Sequence, residues 1–254
     1  MILPIGDDNT GRTTAPVVNY ALIALNLLVF VFLQGMGTNE RFTYAYSTVP
    51  EEIATGHDVV TRPRVVEDPL TRERFREPGL EPTPGSVYFT LITSMFMHGG
   101  WAHILGNMLF LWIFGDNVED RLGHLRYLVF YLVCGVIASL AQVFMTVAFG
   151  SNPLIPSLGA SGAISGVLGG YVLMFPRNRV HVILFRFLTT VPAYVALGLW
   201  FLFQFVSGIG LLGGATQESG VAYAAHVGGF IAGLALVKVF AIGRAPAAPR
   251  WGSS

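Results

Sequence analysis

Long apolar runs, separated by polar connections, limit this chain to folds that a lipid bilayer can surround. Only 12% of its 254 residues are charged and 53% are apolar, whereas charged residues make up about 25% of a typical soluble domain. A helix that crosses the hydrocarbon core needs about 20 mostly apolar residues. The pattern predicts an all-α, polytopic membrane protein built as a bundle of six transmembrane helices. The predicted spans are Val17–Leu33, Ala102–Phe114, Tyr127–Phe149, Ser161–Phe175, Phe187–Ser207 and Val221–Phe240.

The segments outside these spans divide the chain into one membrane domain with polar additions. The first 16 residues have acids before their single arginine and lack a signal-peptide pattern, so the first span is expected to be retained. Between the first two spans the composition becomes charged and proline-rich. We therefore assign an N-terminus (1–16), a first transmembrane helix (17–33), an external hydrophilic loop with a charged, proline-rich insertion (34–86), a core of helices 2–6 (87–241) and a tail (242–254).

The basic residues outside the long loop predict the orientation. All nine lie at the N-terminus, in the connections 2–3 and 4–5, or at the C-terminal end, and the connections at 150–160 and 208–220 contain none. By the positive-inside rule, we expect a multi-pass protein of the plasma membrane with both termini in the cytoplasm. Spans 2, 4 and 6 then begin on the external side. The nine residues are Arg12, Arg121, Arg126, Arg177, Arg179, Arg186, Lys238, Arg244 and Arg250.

Ser161 is the first candidate for chemistry. It lies between glycines, in Gly159-Ala160-Ser161-Gly162, where a loop enters the fourth span. The first amides of a helix have no intrahelical partner and form a ready site for an anion. A serine there becomes a nucleophile with part of an oxyanion hole beside it, provided that a base reaches its hydroxyl.

Three other polar residues lie close to the beginning of a span on the same predicted side. They are His103 and Asn107 on span 2 and His226 on span 6. Small residues recur at four-residue spacing on spans 4 and 6, which favours close approach of the two helices. We therefore predict a catalytic Ser161–His226 dyad whose active site opens to the external side, with His103, Asn107 and the Ser161 backbone N–H as oxyanion donors.

Simpler readings exist for each residue taken alone. Glycines in a span permit tight helix crossing, and a lone serine in a membrane helix is usually a packing residue that bonds back to its own helix. A lone intramembrane histidine can also serve a proton relay, although a transporter would place its ionisable residues at the midplane. A non-catalytic scaffold that binds transmembrane helices for membrane protein quality control is the alternative from another class.

Several other functions are disfavoured by composition. One cysteine, Cys134, allows neither a disulfide framework nor a cysteine metal site. The chain has no His-Glu-x-x-His run, and no Asp or Glu lies in predicted spans 3 to 6 to form the carboxylate pair of an aspartyl mechanism. Because the net charge is zero, nothing indicates a nucleic-acid partner. We expect no cofactor and no metal, with the lipid bilayer and membrane proteins as partners.

The motifs together resemble the rhomboid family of intramembrane serine proteases. The resemblance runs from about Thr93 to Leu236 and rests on four motifs in order: His98-Gly99-Gly100-Trp101-Ala102-His103-Ile104-Leu105-Gly106-Asn107, Glu119-Asp120-Arg121-Leu122-Gly123, Gly159-Ala160-Ser161-Gly162 and Ala225-His226-Val227-Gly228-Gly229. It implies a serine endopeptidase that cleaves single-span membrane proteins in or near their transmembrane segment. It also implies a lateral substrate gate on the fifth helix, formed here by Trp200, Phe201 and Gln204.

The chain departs from the family pattern at two places. Many members carry an aromatic residue four positions after the serine, stacked on the catalytic histidine, and this chain has Ser165 there. The Trp-Arg pair of some members is replaced by Phe89-Thr90. Tyr171 is too far along its helix to substitute simply for the missing aromatic, and we expect the histidine to be held differently.

Overall fold

Helices account for most of the fold. In the computed structural model the described residues are 2–67, 72, 74–149, 151–184, 186–208 and 222–244. The helices are α1 (Val17–Leu28, continued by a π-helical turn over Val29–Leu33), α2 (Glu40–Ala45), α3 (Pro50–Thr55), α4 (Thr90–Thr93), α5 (Trp101–Leu122), α6 (His124–Ala148), α7 (Ser161–Met174), α8 (Ala193–Gly208) and α9 (Tyr223–Phe240). The strands are β1 (Ile2–Asp7), β2 (Arg64–Glu67), β3 (Arg74–Glu77), β4 (Arg179–Leu184) and β5 (Phe187–Pro192).

Apolar helices long enough to cross a membrane are fewer than the sequence suggests. Within the described ranges, α6 and α9 qualify by length and composition. Shorter apolar helical stretches cover Val17–Leu33, Val87–Phe96, Ser161–Met174 and Ala193–Gly208. Helix α5 continues eight residues beyond the predicted end of span 2 at Phe114, because its last two turns are polar and bind other parts of the chain. Val221, the predicted start of span 6, lies outside the described residues, and α9 begins at Tyr223.

The polar end of α5 anchors the N-terminal segment. Asp116 Oδ2 accepts a hydrogen bond from Arg12 Nη1 at 2.6 Å, and the Asp120 carboxylate accepts from the backbone N–H groups of Thr13 and Thr14. Glu119 accepts from the N–H groups of Val18 and Asn19 in the first turn of α1. A carboxylate at a helix N-terminus satisfies amides that have no intrahelical partner. This end of α5 therefore fixes where α1 begins.

A small antiparallel sheet corrects the all-α prediction and the start of span 5. Strand β4 pairs with β1 on one side and β5 on the other. Residues Phe187–Pro192, predicted as the beginning of span 5, form β5, and α8 begins only at Ala193. The β-branched run Thr189-Thr190-Val191 favours a strand, and each residue of β5 has a partner in β4. The predicted span 5 therefore contains a helix, α8, but its first six residues form a strand.

The hydrophilic loop at 34–86 contains ordered elements. It includes α2, α3 and the hairpin of β2 and β3. Thr48 exchanges backbone hydrogen bonds with Ser157, four residues before Ser161. Buried Glu52 accepts from the Val59 N–H, and burial raises the pKa of its carboxyl. The loop is therefore tied to the segment that leads into α7.

Helix α7 is the centre of the bundle. Its residues from Gly162 to Tyr171 are all buried. Glycines make its contact with α9 close: a Cβ on Gly229 would lie 2.1 Å from the Gly162 carbonyl oxygen, and a Cβ on Gly233 would lie 1.9 Å from the Gly166 carbonyl oxygen. A carbonyl oxygen cannot give way as a flexible side chain can, so only glycine fits at these positions. The two helices run side by side in the same direction from their first turns.

We expect Gly229→Ala to destabilise the folded protein by about 1–3 kcal/mol, the usual cost of overpacking. The added methyl group would force α7 and α9 apart. The measurement is the midpoint of thermal unfolding of the purified protein in detergent. Gly198→Ala on α8 is the matched control, because no atom beyond its own stretch of helix lies within 4 Å of its Cβ position. Equal midpoints for the two variants would contradict the close contact.

Candidate functional site

Ser161 and His226 meet at one end of the bundle. Ser161 is the first residue of α7, and its Oγ lies 2.8 Å from His226 Nε2. His226 is on the first turn of α9, where its backbone N–H donates to the Ala222 carbonyl. Both side chains are half-buried. The distance is that of a hydrogen bond from a hydroxyl to a neutral imidazole nitrogen, the arrangement that lets a histidine take a serine proton.

The other ring nitrogen of His226 is bound by α8. Its Nδ1 lies 2.7 Å from the side-chain oxygen Oε1 of Gln204. Since the glutamine carbonyl only accepts, the proton of the neutral ring is on Nδ1, and Nε2 presents its lone pair to Ser161. Sequence reasoning assigned Gln204 to a gate and missed this contact. Its signal was available, because Gln204 is the one amide side chain in an otherwise apolar helix.

His103 and Asn107 lie on one face of α5, next to Gly159, which is two residues before Ser161. A Cβ on Gly159, whose φ is +123°, would lie 2.8 Å from His103 Cε1 and Nε2 and 3.7 Å from Asn107 Nδ2. His103 Nδ1 accepts from the Gly99 N–H at 3.3 Å, so the ring proton is on Nε2. Asn107 Nδ2 is buried and has no hydrogen-bond partner among the described residues. Two donors are thus available near Ser161.

His98 and Gln34 support this side of the site from behind. His98 is fully buried, and its ring meets the His103 ring edge-on at 5.1 Å. Gln34 donates to the His98 carbonyl and accepts from the His98 N–H. Gln34, the residue that follows the π-helical turn, therefore holds the residue against which His103 packs. Sequence reasoning missed Gln34, because its partner is 64 residues away.

The three predicted gate residues lie on α8 but have different contacts. The Trp200 ring lies 6.1 Å from the His226 ring. Phe201 stacks on Phe230 of α9 at 4.6 Å. Gln204 is buried, with only 8% of its surface exposed. Helix α8 therefore reaches the site through Trp200 and Gln204, and it packs on α9 through Phe201.

The structure explains what replaces an aromatic residue at position 165. Ser165 Oγ donates to the Ser161 carbonyl at 2.6 Å and is buried. Tyr171 packs on Phe114, and its hydroxyl donates to the Asp7 carboxylate, at the opposite end of α7. It lies ten residues, or about 15 Å of helix, from Ser161. The hydrogen bond that holds the His226 ring therefore comes from Gln204 of α8.

The described residues contain no group of three or more His, Cys, Asp or Glu side chains that could hold a metal ion. The site is built from Ser161, His226, Gln204, His103 and Asn107. It offers a nucleophile, a base with an oriented ring, and hydrogen-bond donors for a developing negative charge. That set of groups is suited to acyl transfer.

The family model and known proteins that match this chain are described as rhomboid. The family described as Rhomboid domain matches residues 85–242. Rhomboid protease GluP of Bacillus subtilis is 30% identical over 238 residues, which cover 90% of this chain and 37% of that protein. Rhomboid protein 1, mitochondrial, of Saccharomyces cerevisiae is 32% identical over 145 residues (57% of this chain, 40% of that protein). The human presenilin-associated rhomboid-like protein, mitochondrial, is 36% identical over 93 residues (37% and 24%). The chain spans less than half the length of each relative.

These relatives overturn the predicted location. The plasma membrane, with cytoplasmic termini and an active site facing outward, was inferred from the distribution of basic residues. The yeast and human relatives are mitochondrial proteins by name, which contradicts a plasma-membrane assignment. The positive-inside rule orients a protein relative to its membrane and carries no information on which membrane that is. The prediction was therefore wrong.

We expect Gly159→Ala to slow the reaction of Ser161 with a serine-directed fluorophosphonate by about tenfold or more. The methyl group would collide with the His103 ring, and the backbone has a positive φ that favours glycine. Loss of one oxyanion donor typically costs 10²–10³ in rate. The measurement is the labelling rate of purified protein, with Gly106→Ala on α5 as control, because its Cβ position is open. An unchanged labelling rate in Gly159→Ala would contradict a contribution of His103 to the reaction of Ser161.

Proposed function

Because the chain belongs to the rhomboid family, which includes proteins named as proteases, we propose that it is an intramembrane serine endopeptidase. Its substrates are single-span membrane proteins, cut in or near their transmembrane segment. The observation that carries the proposal is the 2.8 Å contact of Ser161 Oγ with His226 Nε2. A scaffold that only binds helices has no use for such a pair.

The proposed reaction follows from the geometry. Ser161 Oγ attacks the scissile carbonyl while its proton passes to His226 Nε2. The oxyanion of the tetrahedral intermediate accepts from the Ser161 N–H, the His103 Nε2–H and the Asn107 amide. His226 then gives its proton to the leaving amine, and the carbonyl remains on Ser161 as an ester. A water molecule, deprotonated by the same nitrogen, hydrolyses the ester and restores the serine.

The proposed membrane arrangement is a six-helix bundle of α1 with its π-helical turn, α5, α6, α7, α8 and α9. Ser161 is at the first residue of α7, and His226 is three residues into α9, or about 5 Å from its start. The site is thus shallow, near one surface of the bundle, where water is available for the second half of the reaction. Helix α8, with Trp200, Phe201 and Gln204, is the proposed lateral gate, and residues 34–86 form a loop at the end where Ser161 lies.

The proposal predicts that Ser161→Ala and His226→Ala each abolish cleavage of a model single-span substrate in liposomes. Each change removes a partner of the same proton transfer, so we expect losses of at least ~10³ in kcat and no further loss in the double variant. His181→Ala, an exposed histidine of β4, is the matched control and should cleave normally. Cleavage that survives in Ser161→Ala would refute this mechanism. No cleavage of several substrates by the wild type would favour the scaffold.

We expect Asn107→Ala and His103→Ala to lower kcat about 10²–10³-fold with little change in KM, because their donors act on charge that develops only during the reaction. Steady-state cleavage kinetics in liposomes provide the measurement. The outcome that contradicts the assignment is a higher KM with an unchanged kcat, since that pattern belongs to a residue that binds substrate alone.

A further inference from the structure

A histidine that acts as a base is fixed in one tautomer when its other ring nitrogen is hydrogen-bonded to a partner. An imidazole held only through Nε2 can rotate or exchange its proton between nitrogens, and with the proton on Nε2 it cannot accept from a serine. In serine hydrolases with a third residue, that residue binds Nδ1–H and fixes both the tautomer and the ring orientation. The described parts of α8 and α9 contain no carboxylate for this role.

The geometry points to Gln204 as the positioning residue that holds His226, so that Ser161, His226 and Gln204 form a hydrogen-bonded relay. The distances along it are 2.8 Å from Ser161 Oγ to Nε2 and 2.7 Å from Nδ1 to Gln204 Oε1. This inference rests on the proposed function for its consequence, but the tautomer itself is independent of activity.

The surroundings of Gln204 separate this role from ordinary packing. The side chain is buried while its neighbours Phe203 and Phe205 on the same helix are exposed at 54% and 45%. A buried amide in an apolar helix is costly unless it is hydrogen-bonded. The Gln204 carbonyl oxygen accepts a hydrogen bond from a ring nitrogen of His226 rather than from the backbone of its own helix. This hydrogen bond places an acceptor at Nδ1, so that the other ring nitrogen, Nε2, is left to accept the Ser161 proton.

A neutral amide also sets the strength of the base. When His226 takes the serine proton, a carboxylate at Nδ1 would stabilise the positive ring strongly, whereas an amide dipole does so weakly. The other groups around His226 add no negative charge: Trp200 on α8 and Tyr223 on α9 present aromatic rings, and His103 on α5 is a second histidine. Gln204 therefore orients the ring while leaving Nε2 a weak base that releases its proton readily to the leaving amine.

The relay also joins two helices. Gln204 is on α8 and His226 is on α9, and Phe201 stacked on Phe230 holds the two helices together one turn away. Any outward movement of α8 that admits a substrate must stretch or break the hydrogen bond to Nδ1. The orientation of His226 is thus coupled to the closed position of α8, and the dyad is fully oriented only when α8 is seated.

The first test reads the tautomer directly. In protein labelled with ¹⁵N-histidine, we expect the wild-type His226 signal, assigned by its loss in His226→Ala, to have a protonated Nδ1 and an unprotonated Nε2 near neutral pH. Gln204→Met keeps the length of the side chain but replaces the carbonyl with a thioether, which is only a weak acceptor, and it should yield a mixture of tautomers. Protonation at Nε2 in the wild type would overturn the assignment, whether or not the protein is an active protease.

The second test reads the consequence. Fluorophosphonate labelling of Ser161, measured from pH 5 to 9, should be at least tenfold slower in Gln204→Met, with kcat rather than KM lowered in substrate cleavage. Gln204→Glu restores an acceptor, so the rate should recover. The pH at which labelling of Gln204→Glu reaches half its maximal rate should be higher than in the wild type. A carboxylate favours the protonated imidazole, and the rate rises as that base loses its proton.

The controls distinguish this inference from the proposed function. Leu202→Met, on the exposed face of the same helix, introduces the same residue and should label at the wild-type rate. Equal thermal midpoints for Gln204→Met and Leu202→Met would exclude loss of folding as the cause. Wild-type rate and pH profile in Gln204→Met, or a Gln204→Glu variant as slow as Gln204→Met, would refute the relay. A wild type that is never labelled would count against the protease proposal and leave the tautomer result standing.

Discussion

Helices α7 and α9 approach so closely that carbonyl oxygens of one occupy the space where side chains of the other would begin. The pairs Gly162–Gly229 and Gly166–Gly233 make this contact. Ser161 and His226 lie at the end of it where α7 and α9 begin. In lipid, association of helices depends on close packing and on interhelical hydrogen bonds rather than on the exclusion of water. The same backbone contact therefore holds the bundle together and sets the distance between a hydroxyl and an imidazole.

The other elements act on that pair from two sides. Helix α5 brings His103 and Asn107 against Gly159, with His98 and Gln34 behind them. Helix α8 brings Gln204 to the far nitrogen of His226. At the opposite end, the carboxylates of α5 bind the N-terminal segment, and β1 joins the hairpin of β4 and β5. The polar groups are thus concentrated at the two ends of the helices, and the middle of α7 is occupied by small and apolar residues, as a membrane interior requires.

The likeness to rhomboid proteins and the geometry of the site are separate lines of support. The family relation follows from residues 85–242 and from relatives that share about a third of the aligned residues. The proposed chemistry depends on distances between particular atoms. Gln204 illustrates the difference, because no motif used to recognise the family includes it, whereas the bond to His226 identifies it at once.

The sequence by itself determined the membrane class, the approximate positions of the main apolar helices, and the polar residues that lie near the beginnings of α5, α7 and α9. Apolar runs, glycine spacing and isolated polar groups are local patterns, and they are legible without coordinates. The tertiary structure decided what depends on two distant segments meeting. It paired Phe187–Pro192 with β4 instead of extending a helix, carried α5 on to Leu122 to bind the N-terminal segment, and placed Gln204 against His226. Those outcomes depend on a partner strand, on the salt bridge between Arg12 and Asp116, and on a hydrogen bond across 22 residues, and no single stretch of sequence contains them.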